Sequence, residues 1–229
     1  MGSITLEEDR QQDVILQEQY IKITPIAILL ILFCFIALPY IAIRYAGESE
    51  YSDFSWFLIF LGVISLIFTL LIVIFKRDLK VKITNPYLDK PLTYIFYVVI
   101  IVFANSLFWF IARLRLGLSD VDYFFYFMST AVVEEIVFRL FLCTLITAAL
   151  SYFKKLNNVI INIISVLISA FIFAVAHIYS YQTPSELAVM LLGGLIFGLF
   201  YVWKKDITIT MLAHVIINFI ATWNFLYSI

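Results

Sequence analysis

Residues 159–178 read Val-Ile-Ile-Asn-Ile-Ile-Ser-Val-Leu-Ile-Ser-Ala-Phe-Ile-Phe-Ala-Val-Ala-His-Ile, with no Asp, Glu, Lys or Arg among them. A helix needs roughly 20 mainly apolar residues to cross the hydrocarbon core of a bilayer, and this run supplies them. Its apolar and polar residues do not alternate, as the strands of a membrane barrel do, so the run reads as helix. Six more such runs lie at 24–43, 54–75, 92–112, 123–153, 187–203 and 207–229. The expectation is an all-α, polytopic transmembrane helix bundle of seven spans, with eight as the alternative. The run at 123–153 is too long for one upright span at ~1.5 Å per residue. It must tilt, or its first turns must lie along the interface.

Composition supports the reading. Of 229 residues, 64% are hydrophobic and 14% charged, and mean hydropathy is +1.03. Soluble domains are about 25% charged. A soluble globular enzyme and a disordered chain are excluded, and a net charge of −1 gives no basic field to hold nucleic acid. Two cysteines, Cys34 and Cys143, are too few for a disulfide framework or a four-thiolate zinc site and read as buried thiols.

The chain divides into a polar N-terminal tail (1–23), three N-terminal transmembrane helices (24–119) and a core of further helices (120–229). The tail is mixed in charge and lacks the basic start of a secretory signal, so the first span reads as retained. Eleven of the fifteen basic residues fall in the tail and in the second, fourth and sixth loops. Loops rich in Lys and Arg stay in the cytoplasm. That places the N-terminus inside and, with seven spans, the C-terminus outside, in a membrane that fits a prokaryotic plasma membrane. Pro39 is expected to kink the first span. Gly194 and Gly198 form a small-xxx-small pair that lets another helix approach closely.

Charges within apolar runs are costly, about 2.5–3.5 kcal/mol each on insertion scales. Only Glu134, Glu135 and Arg139 carry them here, in Val133-Glu134-Glu135-Ile136-Val137-Phe138-Arg139. Glu135 and Arg139 are four apart and can pair on one helix face, a pairing that in most membrane proteins simply locks helices together. Glu134 lies about 100° round the helix with no intrahelical partner, which suits a group that takes and gives a proton. The two histidines both sit in apolar runs: His177 ends Phe173-Ala174-Val175-Ala176-His177, and His214 opens His214-Val215-Ile216-Ile217-Asn218. Each alone reads as a helix-to-helix hydrogen-bond partner, and Asn218 alone as helix glue. Lipid offers no such partner, so the polar stripes should turn inward. Glu134, His177, His214 and Asn218 are expected to converge on one polar pocket among the fourth, fifth and seventh helices.

Glu-Glu-x-x-x-Arg at 134–139, Phe-x-x-x-His at 173–177 and His-x-x-x-Asn at 214–218 follow one another on successive apolar segments. In this order they resemble the CPBP family of intramembrane proteases, which includes the type II CAAX prenyl endopeptidases and the Abi group. The resemblance covers roughly 120–229. It implies an endopeptidase acting on a membrane-associated protein or peptide, with Glu134 as general base, His177 holding the water, and His214 and Asn218 stabilising the oxyanion. Glu135, Arg139 and Phe173 are supporting residues. No cofactor is required on this reading. The alternative that the resemblance implies is zinc or another divalent metal on Glu134, His177 and His214, although the His-Glu-x-x-His signature of soluble zinc proteases is missing. Two other classes compete: a proton-coupled transporter, for which no inverted repeat is found, and a non-catalytic immunity or partner protein. Substrate, prenylation and oligomeric state are not legible. One geometric difficulty stands. In the seven-span arrangement His177 lies near the outer end of its helix and His214 about two turns from the inner end of its own. A shared site requires the seventh helix to shift, or the loop after Tyr201 to dip into the bundle.

Overall fold

A computed structural model describes residues 21–45, 81–83, 91–112, 121–151, 156–178 and 183–226, with scattered helical positions between 62 and 74. Residues 1–20 of the expected tail and most of the second span lie outside the described residues. The chain is mostly helical. In order come β1 (Ile21–Ile23), α1 (Pro25–Tyr45), β2 (Val81–Ile83), α2 (Pro91–Ala112), α3 (Val121–Glu134), a π-helical segment (Glu135–Cys143), α4 (Thr144–Ser151), α5 (Asn158–Ala176), α6 (Pro184–Lys204) and α7 (Ile207–Leu226).

Helices α1, α2, α5, α6 and α7 have 19 to 22 residues, roughly 28–33 Å at the α-helical rise and so the thickness of a hydrocarbon core. Among the described residues, α5 and α6 stand out as long and apolar enough to cross it, with mean hydropathies of 2.7 and 1.9. Large apolar side chains such as Leu167, Phe171, Val175 and Leu199 are exposed, which suits lipid where water would penalise it. The helix starts are capped. Asn157 accepts from the Val159 N–H to open α5. Thr183 and Glu186 exchange hydrogen bonds as a capping box at α6, with Pro184 in the first turn.

The long run at 123–153 is one continuous helical stretch from Val121 to Ser151, interrupted by nine residues of π-helix rather than by a break. A π turn holds more residues per unit length than an α turn and leaves carbonyls in need of partners. Neighbouring hydroxyls supply some. Ser169 on α5 donates to the Phe138 carbonyl at 2.6 Å, and Thr144 donates to the Arg139 carbonyl at 3.4 Å.

Two short strands enter that the apolar pattern did not announce. β1 and β2 pair in parallel, Ile21 opposite Val81, and Lys22 bridges to Asp206. The Lys22 N–H donates to the Lys205 carbonyl at 2.5 Å. Residues 21–23, 81–83 and 205–206 thus meet at one end of the bundle, although they come from the tail and from two different loops.

The α6–α7 connection is sunk into the bundle. The Tyr201 and Thr144 hydroxyls are 2.7 Å apart, and the Thr147 hydroxyl donates to Ser165 at 2.9 Å. Lys205 makes the turn with φ 50° and ψ 40°. Asp206 is 2% exposed and caps α7 by accepting the Thr208 N–H at 3.0 Å. The Tyr94 hydroxyl, from α2, donates to its other oxygen. His214 stands beside Glu134, as a shared site requires.

Close packing sets α6 against α5. A Cβ on Gly194 would stand 3.1 Å from the Ala170 Cα, and one on Gly198 would stand 2.9 Å from Val166 Cγ1. The small pair does what its spacing suggests.

Candidate active site

Glu134 ends α3, and Glu135 opens the π segment. The two consecutive acids diverge, and His214 is reached by both. One oxygen of Glu134, Oε1, lies 3.6 Å from His177 Nε2, and the other, Oε2, lies 3.6 Å from His214 Nε2. The acid therefore stands between two imidazoles carried by different helices. Its side chain is 22% exposed and that of His177 18%, whereas that of His214 is 8% exposed. The site has one more open flank and one closed one.

Both imidazoles have their other nitrogen committed. His177 Nδ1 is 2.8 Å from the Phe173 carbonyl, one turn back on α5. A carbonyl only accepts, so this nitrogen carries the hydrogen. His177 follows the last residue of α5 and takes the C-cap position, where that carbonyl is within reach. His214 Nδ1 is 2.9 Å from Glu135 Oε1, and a carboxylate again fixes the hydrogen on Nδ1. In both rings Nε2 is the atom turned to Glu134. A separation of 3.6 Å is too long for a direct hydrogen bond, but a single water lying off the line can reach both atoms.

Glu135 does more than lock helices. Besides orienting His214, its Oε2 lies 3.6 Å from Arg139 Nε, and both side chains are 0% exposed. Among the described residues, Glu135 Oε2 and all three Arg139 nitrogens lack a hydrogen-bond partner. The guanidinium instead lies against aromatic rings, 4.6 Å from the centroid of Phe173 and 5.4 Å from that of Phe197. Such cation–π contacts favour a desolvated cation.

Asn218 is placed a turn beyond His214, where its Nδ2 donates to the Phe127 carbonyl of α3 at 2.8 Å. This bond joins α7 to α3, the part that an isolated intramembrane asparagine ordinarily plays. Thr130 and Thr210 bond within their own helices, to the Phe127 and Ile207 carbonyls. Cys34 and Cys143 are free and buried. Phe197 was not singled out by the motifs; it lies in an unbroken apolar run, and its only signal was position, next to the Gly194 and Gly198 pair.

The donor types at Glu134, His177 and His214 suit a divalent metal, and an Nδ1–H held by a carbonyl or carboxylate is a common support for metal-ligating histidines. Yet among the described residues no three His, Cys, Asp or Glu side chains form a group that could hold a metal ion.

Against known proteins, residues 117–220 match the family model described as Type II CAAX prenyl endopeptidase Rce1-like. No curated protein and no solved structure matches the chain. The matched stretch contains Glu134, Glu135, Arg139, His177, His214 and Asn218. The match over residues 117–220 is consistent with the CPBP family that the three motifs resemble.

Proposed function

We propose that the protein is an intramembrane endopeptidase in which Glu134 activates water for attack on a peptide bond of a membrane-associated protein or peptide. The observation that carries this reading is the placement of the two Glu134 oxygens, each 3.6 Å from the Nε2 of a different imidazole.

Glu134 takes a proton from a water held between its carboxylate and His177 Nε2. The resulting hydroxide attacks the amide carbon, and the carbonyl oxygen becomes an oxyanion. His214, with Nδ1 held by Glu135, presents Nε2 to the oxyanion and donates to it once that nitrogen takes a proton. Asn218, one turn further along α7, is the second residue assigned to the oxyanion. As the oxyanion collapses and the C–N bond breaks, Glu134 gives its proton to the leaving nitrogen, and the carboxylate is regenerated. Positioned acid–base groups of this kind contribute about 10²–10⁴-fold.

The test compares membrane peptides from cells carrying the wild-type chain and Glu134→Gln at matched abundance. An uncut substrate should accumulate in the variant. Processing at the wild-type rate in the variant overturns the mechanism. A 1,10-phenanthroline arm addresses the metal alternative: unchanged cleavage supports the water mechanism, and loss restored by added zinc moves Glu134, His177 and His214 to the role of ligands. The N-terminal side is proposed as cytoplasmic on the basic-residue count, and a protease-accessibility assay on an N-terminal tag checks it.

A further inference from the structure

The hydrogen bond from His214 to Glu135 fixes one atom of the imidazole and leaves its plane undetermined. A ring held only at Nδ1 can swivel about the line to Glu135 Oε1, and the swivel carries Nε2 away from Glu134. A second contact settles the plane. The Phe197 ring, from α6, stacks on the imidazole with centroids 4.8 Å apart and 23° between planes. Phe173 meets the same imidazole at 6.3 Å and 63°, edge-on.

Phe197 is itself fixed. It is 3% exposed, in a cluster with Tyr94, Val98, Ile209, Ala213 and Ile217. The buried Arg139 guanidinium lies 5.4 Å from its centroid. Its helix is seated by Gly194 and Gly198 against Ala170 and Val166, so the ring cannot retreat without moving α6. His177 is served differently, by Phe173 on its own helix at 4.5 Å and 46°. Each imidazole therefore has an aromatic neighbour, and Arg139 touches both of those neighbours. His214 depends on one from another helix.

We propose that Phe197 is a positioning residue, its stacked face setting the plane of His214 so that Nε2 addresses Glu134. The consequence for turnover rests on the endopeptidase reading; the consequence for the ring does not.

The chain has two histidines, so ¹⁵N-histidine labelling of the full chain in detergent micelles gives two sets of ring signals. In the wild type both rings should show the Nδ1-protonated pattern. Phe197→Leu keeps an apolar side chain and removes the flat face. It should broaden or average the His214 pair and leave the His177 pair in place. Phe197→Tyr, which retains the face, should restore the wild-type His214 signals. Ile209→Val, a small cavity in the same cluster, should leave both pairs unmoved and so separates loss of the face from loosening of the core. On an internally quenched peptide ending in a CAAX box, in prenylated and unprenylated forms, Phe197→Leu should lower kcat about tenfold with KM little changed, as misorientation of a reacting group does. Unchanged His214 signals in Phe197→Leu overturn the proposal, as does an Ile209→Val variant that perturbs His214 equally. If neither peptide form is cut by the wild type while the His214 signals respond as stated, the endopeptidase reading loses its support and the positioning of the ring stands.

Discussion

Glu134 and Glu135 in the middle of the bundle and Asp206 at its end are all acids taken largely out of water, and the protein answers them in opposite ways. At Asp206 one oxygen accepts the Thr208 N–H and the other the Tyr94 hydroxyl. Around it, Thr24 and Thr208 join hydroxyls at 2.7 Å, and Lys22 pairs with Lys205 through the backbone. In the hollow, Glu134 faces two imidazoles at distances no hydrogen bond spans, and Glu135 Oε2 and the Arg139 nitrogens have only charge and aromatic faces to answer them. A satisfied polar group holds structure, whereas a group with spare hydrogen-bonding capacity is available to water and substrate. The junction fixes the depth of α7, and the hollow uses that depth.

The sharpest way to break this contrast is Glu135→Gln. The amide can still accept from His214, but it leaves Arg139, 0% exposed, without its adjacent counter-charge. Removing one partner of a buried ion pair costs about 3–5 kcal/mol. The unfolding midpoint in mixed micelles should fall accordingly. A loss under about 1 kcal/mol would mean that the guanidinium is neutralised elsewhere and that the hollow is not held by this pair.

At the junction, burial pushes the Asp206 carboxyl up from 3.8 to about 6. The folded state then holds a proton that the unfolded chain releases. Stability from this group is complete below about pH 4, declines as pH rises to about 6, and is flat beyond. The span corresponds to about 3 kcal/mol. Asp206→Asn, which keeps an acceptor for Thr208, should remove that slope from a series of melts between pH 4 and 7.5. Equal slopes in both proteins would show that the buried acid does not set the pH response of this end.

How much of this was legible follows the same division. Helix runs could be read because lipid demands about 20 apolar residues and the chain supplies them plainly. Glu134, His177 and His214 could be read because polar groups in oil need a reason. The π segment could not, since Glu135–Cys143 has no composition that separates it from α-helix; its winding is settled by Ser169 and Thr144 from outside the pattern. β1 and β2 are three residues each, too short for a period of two to register, and their partner Asp206 is distant in sequence. Phe197 hid because one phenylalanine in an apolar run looks like any other.

Packing gives a smaller test on the wall of the hollow. Gly198→Ala puts a methyl 2.9 Å from Val166 Cγ1, and the β-branched valine has little rotamer freedom to yield. Overpacking of this kind costs about 1–3 kcal/mol. Gly62→Ala, where a Cβ meets nothing within 4 Å and the residue is helical, should instead gain up to about 1 kcal/mol. If both substitutions gain, α6 is not held tightly to α5, and the seat of Phe197 is looser than the close approach indicates.

The smallest expected effect lies in the turn that sinks α7. Lys205 has φ 50°, where a side chain costs roughly 1–2 kcal/mol relative to glycine. Its two backbone bonds, from its N–H to the Tyr201 carbonyl and from the Lys22 N–H to its own carbonyl, need no side chain and survive in Lys205→Gly. Glycine adds freedom to the unfolded chain, which offsets part of the relief, so the net gain should lie between zero and about 1 kcal/mol. The depth of α7 is unaltered in that case, and turnover at Glu134 should be unaltered with it. A clear loss of stability would assign the register of α7 to the lysine side chain instead of to the backbone bridge with β1, and the junction would then no longer be the self-sufficient half of the comparison.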